Sequence, residues 1–288
     1  MSDPFLPQHP VVTAYPKMPA AFAEAEAIAA YLNEKGVDAP CGSLYDEVLR
    51  KRIKQGDFDM LIAVGGDGTM LRAGHLCAPC SIPILGVNLG RLGFLIQVQS
   101  NEWRDMLERL FKGDAWIENR MMLRVKHLRA GEMVGSWHAL NEAVVGRGQY
   151  LRPVKLAANA DGHLLTTYIA DGLIAATPTG STAYALAAGG PILPPELRNI
   201  LIVPIAPHLS VDRAVVLAEG SSVSIDVKSE NAVLSVDGAL PTGLAEDDRV
   251  EIRAAEYIVQ FVRFGDPGYF YRNLTAHMNQ NPAIGMTR

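Results

Sequence analysis

The stretch FDMLIAVGGDGTMLRAGHLCA, residues 58–78, decides the fold. FDMLIAV (58–64) is a nearly continuous apolar run, the pattern of a strand covered on both faces. TMLRAGHLCA (69–78) reads as helix, and Gly65-Gly66-Asp67-Gly68-Thr69 links the two. A strand feeding a helix through a glycine loop is the unit of an α/β layer fold. In open sheets of that kind, ligands bind beyond the carboxyl ends of the strands. Glycine loops there commonly hold phosphate, because bare backbone N–H groups approach it closely. An aspartate in such a loop would repel phosphate. It is tolerable where a divalent cation lies between the two, or where it accepts a hydrogen bond from a hydroxyl. Both situations arise when a hydroxyl attacks a phosphoryl group: a carboxylate takes the alcohol proton and Mg²⁺ neutralises the phosphates. The alternative is a tight turn in which Asp67 caps the following helix. The loop lacks the Gly-Lys-Ser/Thr of a P-loop, and no register fits the dinucleotide fingerprint.

Outward from this stretch the chain alternates in type over its first ~115 residues, as an α/β layer does. VVTAY (11–15) reads as a short strand, AAFAEAEAIAAYLNEKG (20–36) and LYDEVLRKRIKQG (44–56) as helices, IPILGV (82–87) as a second buried strand, and NEWRDMLERLFKG (101–113) as a helix stopped at Gly113. NLGRLGFL (88–95) is a loop with two glycines. From about 116 to 264 the pattern changes to short β runs separated by turns. They include MLRVKHL (122–128), HALNEAVVGR (138–147), LIAAT (173–177), RVEIRAA (249–255) and IVQFVRF (258–264). YFYRNLTAHMN (269–279) reads as a last helix. There is no internal repeat and no Gly/Ser linker.

Bulk properties narrow the function. A chain of 288 residues has room for one large domain or two ordinary ones. With 49% hydrophobic and 20% charged residues it is globular, and a net charge of −5 argues against a general nucleic-acid binder. Cys41, Cys77 and Cys80 are too few for a disulfide framework. Cys77 and Cys80 have the spacing of half a zinc site without a second half, so packing is the expected role. MSDPFLPQHP has no signal-peptide character and no window reaches the ~18 apolar residues of a membrane span. The expectation is a soluble, cytoplasmic protein without membrane or nucleic-acid partners.

Two further segments carry unusual chemistry. DGLIAATPTGSTAYALAAGGPI (171–192) puts Thr177, Thr179, Ser181 and Thr182 within six residues, ahead of an alanine-rich stretch that reads as helix. Ser181 or Thr182 is a candidate N-cap, and exposed N–H groups there would suit a phosphate or a base edge. An ordinary Ser/Thr-rich turn is the alternative. In LNEAVVGR (140–147), Asn141 and Glu142 interrupt an apolar β run. They could bind sugar hydroxyls, or simply face solvent at a strand start.

In this order, Gly-Gly-Asp-Gly, Asn-Glu and Asp-Gly…Thr-Pro-Thr-Gly-Ser-Thr-Ala-Tyr…Gly-Gly-Pro, the segments resemble the NAD kinase family. NLGRLGFL, MMLRV (121–125) and PIAPHLSVDR (204–213) match as well, and the resemblance runs from about residue 58 to 275. Gly-Gly-Asp-Gly-Thr alone is shared with lipid kinases; TPTGSTAY is far more specific. The resemblance implies phosphorylation of the 2′-hydroxyl of the adenosine ribose of NAD to give NADP. The donor would be ATP with a divalent metal such as Mg²⁺, or polyphosphate. It implies a Rossmann-like α/β domain (1–117 plus 269–288) with the loop, a larger β-sandwich-like dinucleotide-binding domain (118–268), and a C-terminal tail returning to the first. Asp67 would be the catalytic base, a metal ligand or both. Gly66, Gly68 and Arg72 would lie at the phosphates and Phe94 near the adenine. Asn141, Glu142, Asp171, Thr179, Thr182, Ala183, Tyr184 and Ala187 would line the dinucleotide site, with His208 nearby. Ala187 stands where many members have serine, and Ile169 where Arg or Gly is common. Homodimers or homotetramers are usual. A lipid or sphingoid kinase and a non-catalytic dinucleotide binder are the alternatives.

Overall fold

The computed structural model describes residues 5–90, 93–149, 152–208 and 211–279. The chain divides into two compact units, one reaching to Asn119 and resuming at Val259, the other spanning Arg120–Ile258. The sequence reading placed these boundaries at 117 and 269.

Unit 1 contains β1 (Pro10–Ala14), α1 (Pro19–Glu34), β2 (Cys41–Ser43), α2 (Glu47–Gln55), β3 (Met60–Gly65), α3 (Asp67–Cys77), β4 (Ile84–Asn88), β5 (Val98–Gln99) and α4 (Trp103–Phe111). The strands pair in parallel in the order β2-β1-β3-β4, with β5 beside the end of β4. All six residues of β3 are buried, as its unbroken apolar run requires. Met60, Ile62 and Val64 pack with Ala21, Ala25, Ile28 and Leu32 of α1 and with Trp103, Leu107 and Leu110 of α4. The α1 residues recur at helical spacing, so one face is apolar. Local signals set α2: the Asp46 carboxylate accepts the Leu49 N–H at 2.9 Å, and Gly56 ends the helix at φ 80°. β1 leads through α1 to β2 on one side, while β3 leads through α3 to β4 on the other. The order therefore reverses between β1 and β3, where open α/β sheets bind ligands.

Unit 2 is two antiparallel sheets. One has the order β13-β12-β11-β8-β15-β16, formed by β8 (Glu142–Arg147), β11 (Gly172–Ala176), β12 (Ile200–Ile205), β13 (Val215–Leu217), β15 (Ala232–Val236) and β16 (Thr242–Leu244). The other pairs β9 (Val154–Ala160), β10 (His163–Ala170) and β14 (Ser222–Val227) with the first half of β17 (Arg249–Arg263), which in turn pairs β6 (Trp116–Arg129) and through it β7 (Glu132–Ala139). Alternate residues from both sheets fill one core: Leu156, Tyr168, Ile225 and Ile252 from one, Val145, Leu173, Ile202 and Leu234 from the other. β11 is buried throughout, since Ile174 and Ala176 pack on its far side with Leu201, Val203 and Ala185 of the single-turn α5 (Tyr184–Ala187).

The α/β unit and the β-rich unit are the expected ones, and the chain does come back. The last residues of β17 belong to unit 1, where Phe261 lies parallel to Ile84 of β4, and α6 (Tyr269–Asn279) follows. Three readings are corrected. RVEIRAA and IVQFVRF are one strand, because no turn residue separates them and Glu256 pairs with Arg124 at 3.4 Å. HALNEAVVGR is two strands, broken where the N–H groups of Leu140 and Asn141 bond a side chain instead of a ladder. The alanine-rich stretch after TPTGST makes one helical turn only.

Candidate active site

In unit 1, register places the Gly-Gly-Asp-Gly loop. Gly65 at the end of β3 lies beside Asn88 at the end of β4, so the two strands release their loops side by side. Asp67 does not cap its own helix. Gly66 occupies the N-cap of α3, and Asp67 is the first helical residue. Its carboxylate reaches across to the neighbouring loop, where Oδ2 accepts the Phe94 N–H at 2.9 Å and Oδ1 the Leu95 N–H at 3.2 Å. A Cβ at Gly93 would lie 2.1 Å from Asp67 Oδ2, so only glycine admits this approach. Gly66 is different: nothing lies within 4 Å of a Cβ built there, and its φ of −112° suits any residue. The missing side chain leaves open space at the positive end of α3, where backbone N–H groups and the helix dipole favour an anion. Gly68 is exposed beside it, and the Arg72 guanidinium donates to the Gly68 carbonyl at 2.9 Å and stacks 5.6 Å from the Tyr15 ring centroid. Tyr15 directly follows β1, so this arginine stands at the switch point. The Phe94 ring packs 6.4 Å from that of Phe270.

Among the described residues, no three His, Cys, Asp or Glu side chains converge as a metal cage. Each Asp67 carboxylate oxygen accepts one backbone N–H. A lone carboxylate of this kind would suit a metal that arrives with phosphates, the usual mode for Mg²⁺.

In unit 2, antiparallel register does the same work. β8 begins where β11 and β15 end, with Glu142 opposite Ala176 and Ala143 opposite Val236. Asp237, just past β15, accepts N–H bonds from Leu140 (2.7 Å), Asn141 (2.8 Å) and Glu142 (3.0 Å). The TPTGST loop locks onto the same turn: Thr177 N–H donates to the Asn141 carbonyl at 2.8 Å and Thr177 Oγ1 to the Leu140 carbonyl at 2.5 Å. A Cβ at Gly180 would lie 2.1 Å from the Asn141 carbonyl oxygen. The hydroxyls serve this packing. Ser181 Oγ donates to the Pro178 carbonyl and accepts from Leu193 N–H, and Thr182 Oγ1 donates to the Thr179 carbonyl. Neither is the expected N-cap. Buried Thr179 accepts from Arg120 Nη1 at 3.2 Å. Tyr184 and Ala187 are exposed beside them, and Thr182 and Ala183 half-buried.

Glu142 is 7% exposed, its Oε2 has no hydrogen-bond partner, and burial pushes its carboxyl up to about 7. The nearby Asp237 charge adds to the shift, and the Tyr184 N–H opposes it. A buried acceptor without a donor is costly in the free protein and available to a ligand. Asp171 is not part of this cluster. It sits at the opposite end of β11, some ~15 Å away by strand rise. There it pairs with Arg147 at 3.2 Å, and the backbone N–H of exposed His208 donates to Ile169. Sequence reading missed Asp237, Arg120 and Arg147. Asp237 alone had a signal, an Asp-Gly turn following a β run.

A chain with this architecture and this loop is a kinase. Residues 20–115 match the ATP-NAD kinase N-terminal domain and residues 140–264 the ATP-NAD kinase C-terminal domain. The NAD kinase of Heliobacterium modesticaldum is 42% identical over 81% of this chain and 82% of its own length, and that of Chloroflexus aggregans 42% over 78% and 82%. Among solved structures, yeast NADH kinase complexed with NADH aligns with a TM-score of 0.83 at 25% identity, covering 98% of this chain and 91% of its own. An NAD kinase from Archaeoglobus fulgidus in complex with ATP aligns at 0.74 and 25%, covering 94% and 98%. The chain belongs to the NAD kinase family.

Two outcomes follow from the geometry. Gly93→Ala is expected to lower stability by about 1–3 kcal/mol in urea melts, as overpacking does, whereas Gly66→Ala, into open space, should cost about 1 kcal/mol or less. Glu142 has a folded pKa of about 7 against an ordinary 4.5, so the native state binds its proton more tightly. Its contribution to stability is therefore lost as pH rises from 4.5 through 7. Glu142→Gln should remove that loss, gaining on the parent at pH 8 relative to pH 4 in paired thermal melts.

Proposed function

We propose that this kinase transfers the γ-phosphoryl group of ATP to the 2′-hydroxyl of the adenosine ribose of NAD, giving NADP. The observation that carries this reading is Asp67. Its carboxylate is fixed by two backbone N–H groups from the next loop, beside the open space at Gly66 and the first turn of α3. It accepts the proton of the attacking hydroxyl as the new O–P bond forms and the bond to the leaving diphosphate breaks. Gly66, Gly68 and the α3 N-terminus receive phosphate oxygens, and Arg72 adds positive charge there. Magnesium, brought by the triphosphate, would neutralise developing charge on the phosphates. Catalysis is then positioning and electrostatics, without a covalent enzyme intermediate.

Unit 2 binds the dinucleotide. Asn141 and the unpartnered oxygen of Glu142 supply polar contacts, with Thr179, Thr182, Ala183, Tyr184 and Ala187 around them. Asp171, at the other end of β11, is proposed to contact the dinucleotide as well, and an assembly of two or four copies is also part of the proposal. The compartment fitting these substrates is the cytoplasm. No described helix is long and apolar enough to cross a membrane.

The test is NADP formation from NAD, ATP and Mg²⁺, read by an NADP-specific dehydrogenase. Asp67→Asn should keep NAD binding within a few-fold and cut kcat by roughly 10²–10⁴, the range of a lost general base. Undiminished turnover would return Asp67 to a purely structural role. Asn141→Ala should weaken NAD binding by about 1–3 kcal/mol in calorimetry, and unchanged affinity would remove it from the dinucleotide site.

A further inference from the structure

Among the described residues, Arg263 is the largest charged side chain buried in unit 1, at 1% exposure. Its Nε donates to Glu118 Oε2 at 2.7 Å, and its Nη1 to the carbonyl of Leu95 at 2.9 Å. The guanidinium also lies 5.2 Å from the Tyr269 ring centroid and 5.0 Å from that of Phe261. Leu95 is the residue whose N–H holds Asp67 Oδ1. One residue thus takes the catalytic carboxylate on its N–H and Arg263 on its carbonyl.

The neighbouring bonds point the same way. Gln97 Nε2 donates to the Phe264 carbonyl at 2.9 Å, and Phe264 N–H donates back to Gln97 Oε1 at 3.0 Å. From the end of β4 at Asn88 to the start of β5 at Val98, the described residues form no helix or strand. They are fixed by side chains instead. A buried ion pair is weak ground for stability, since apolar packing often replaces it at no cost. What Arg263 and Glu118 supply here is a fixed place for one carbonyl.

We propose, resting on the reading of Asp67 as the catalytic carboxylate, that Arg263 is a positioning residue for the reaction. Held by Glu118 and seconded by the Gln97–Phe264 pair, it fixes Leu95 and thereby the orientation of Asp67. Its role is through Leu95 and not through direct contact with NAD, so its loss is expected to act on turnover and to leave NAD binding alone.

Arg263→Lys keeps the charge opposite Glu118 but cannot span Glu118 and the Leu95 carbonyl with one rigid fork. Expected is a fall in kcat of about 10- to 100-fold, the scale of an ångström-sized misplacement, with the KM for NAD within about threefold. In the Asp67→Asn background the same substitution should cost nothing further, because the group it orients is gone. Gln97→Ala leaves the buried charges intact and should repeat the pattern in milder form. It decides the matter if circular dichroism shows Arg263→Lys unfolded. Parental kcat in the folded variants, or an equal loss with and without Asp67→Asn, overturns the proposal. Parental activity of Asp67→Asn alone overturns instead the reading on which it rests.

Discussion

The structure depends on carboxylates that accept backbone N–H groups from loops having no ladder of their own. Asp67 takes two such bonds and Asp237 takes three. Bonds to an ionised acceptor are shorter and stronger than neutral ones, and each satisfies a backbone donor that the loop would otherwise leave unpaired. The polypeptide adapts around both. Gly93 is bare because the Asp67 carboxylate fills the space of its Cβ, and Gly180 because the Asn141 carbonyl does. An aspartate that looks misplaced in a glycine loop is thus part of how the neighbouring loop is held.

The two units reach this arrangement by opposite sheet geometries. In unit 1 the strands are parallel, so consecutive carboxyl ends release loops on one edge, and the loop after β4 falls against the loop after β3. In unit 2 the strands are antiparallel, so the start of β8 meets the ends of β11 and β15. Residues about 40 and 100 positions apart then share one turn, an inevitable consequence of a central strand with antiparallel neighbours on both sides. The same logic puts Asp171 at the far edge, since a five-residue strand separates it from Thr177.

Much of this was legible in the sequence because it is local. An unbroken apolar run is a strand buried on both faces, Asp46 and Gly56 bracket a helix, and a glycine loop between strand and helix marks a ligand edge. What was illegible is what depends on distant partners. Asn141 and Glu142 look like an interruption within one strand until Asp237 is seen to draw off the N–H groups there. The four hydroxyls of TPTGST look like ligand contacts or caps, yet Ser181 and Thr182 spend theirs on Pro178 and Thr179. Arg263 belongs to no motif, and its place behind Leu95 follows from a strand that returns to unit 1 more than 160 residues later in the chain.

Asp237 and Glu142 show how one turn separates two carboxyls by environment. Asp237 accepts the N–H groups of Leu140, Asn141 and Glu142. Glu142 is buried with one oxygen unpartnered, beside that charge, and holds its proton to about neutral pH. Folding alone would favour an apolar side chain at such a position, because an unsatisfied acceptor is a net loss. The loss is recovered only when a donor arrives from outside the chain. Under the proposed function a ribose hydroxyl would be such a donor, and the penalty carried by the free protein would become selectivity for a ligand that can supply it.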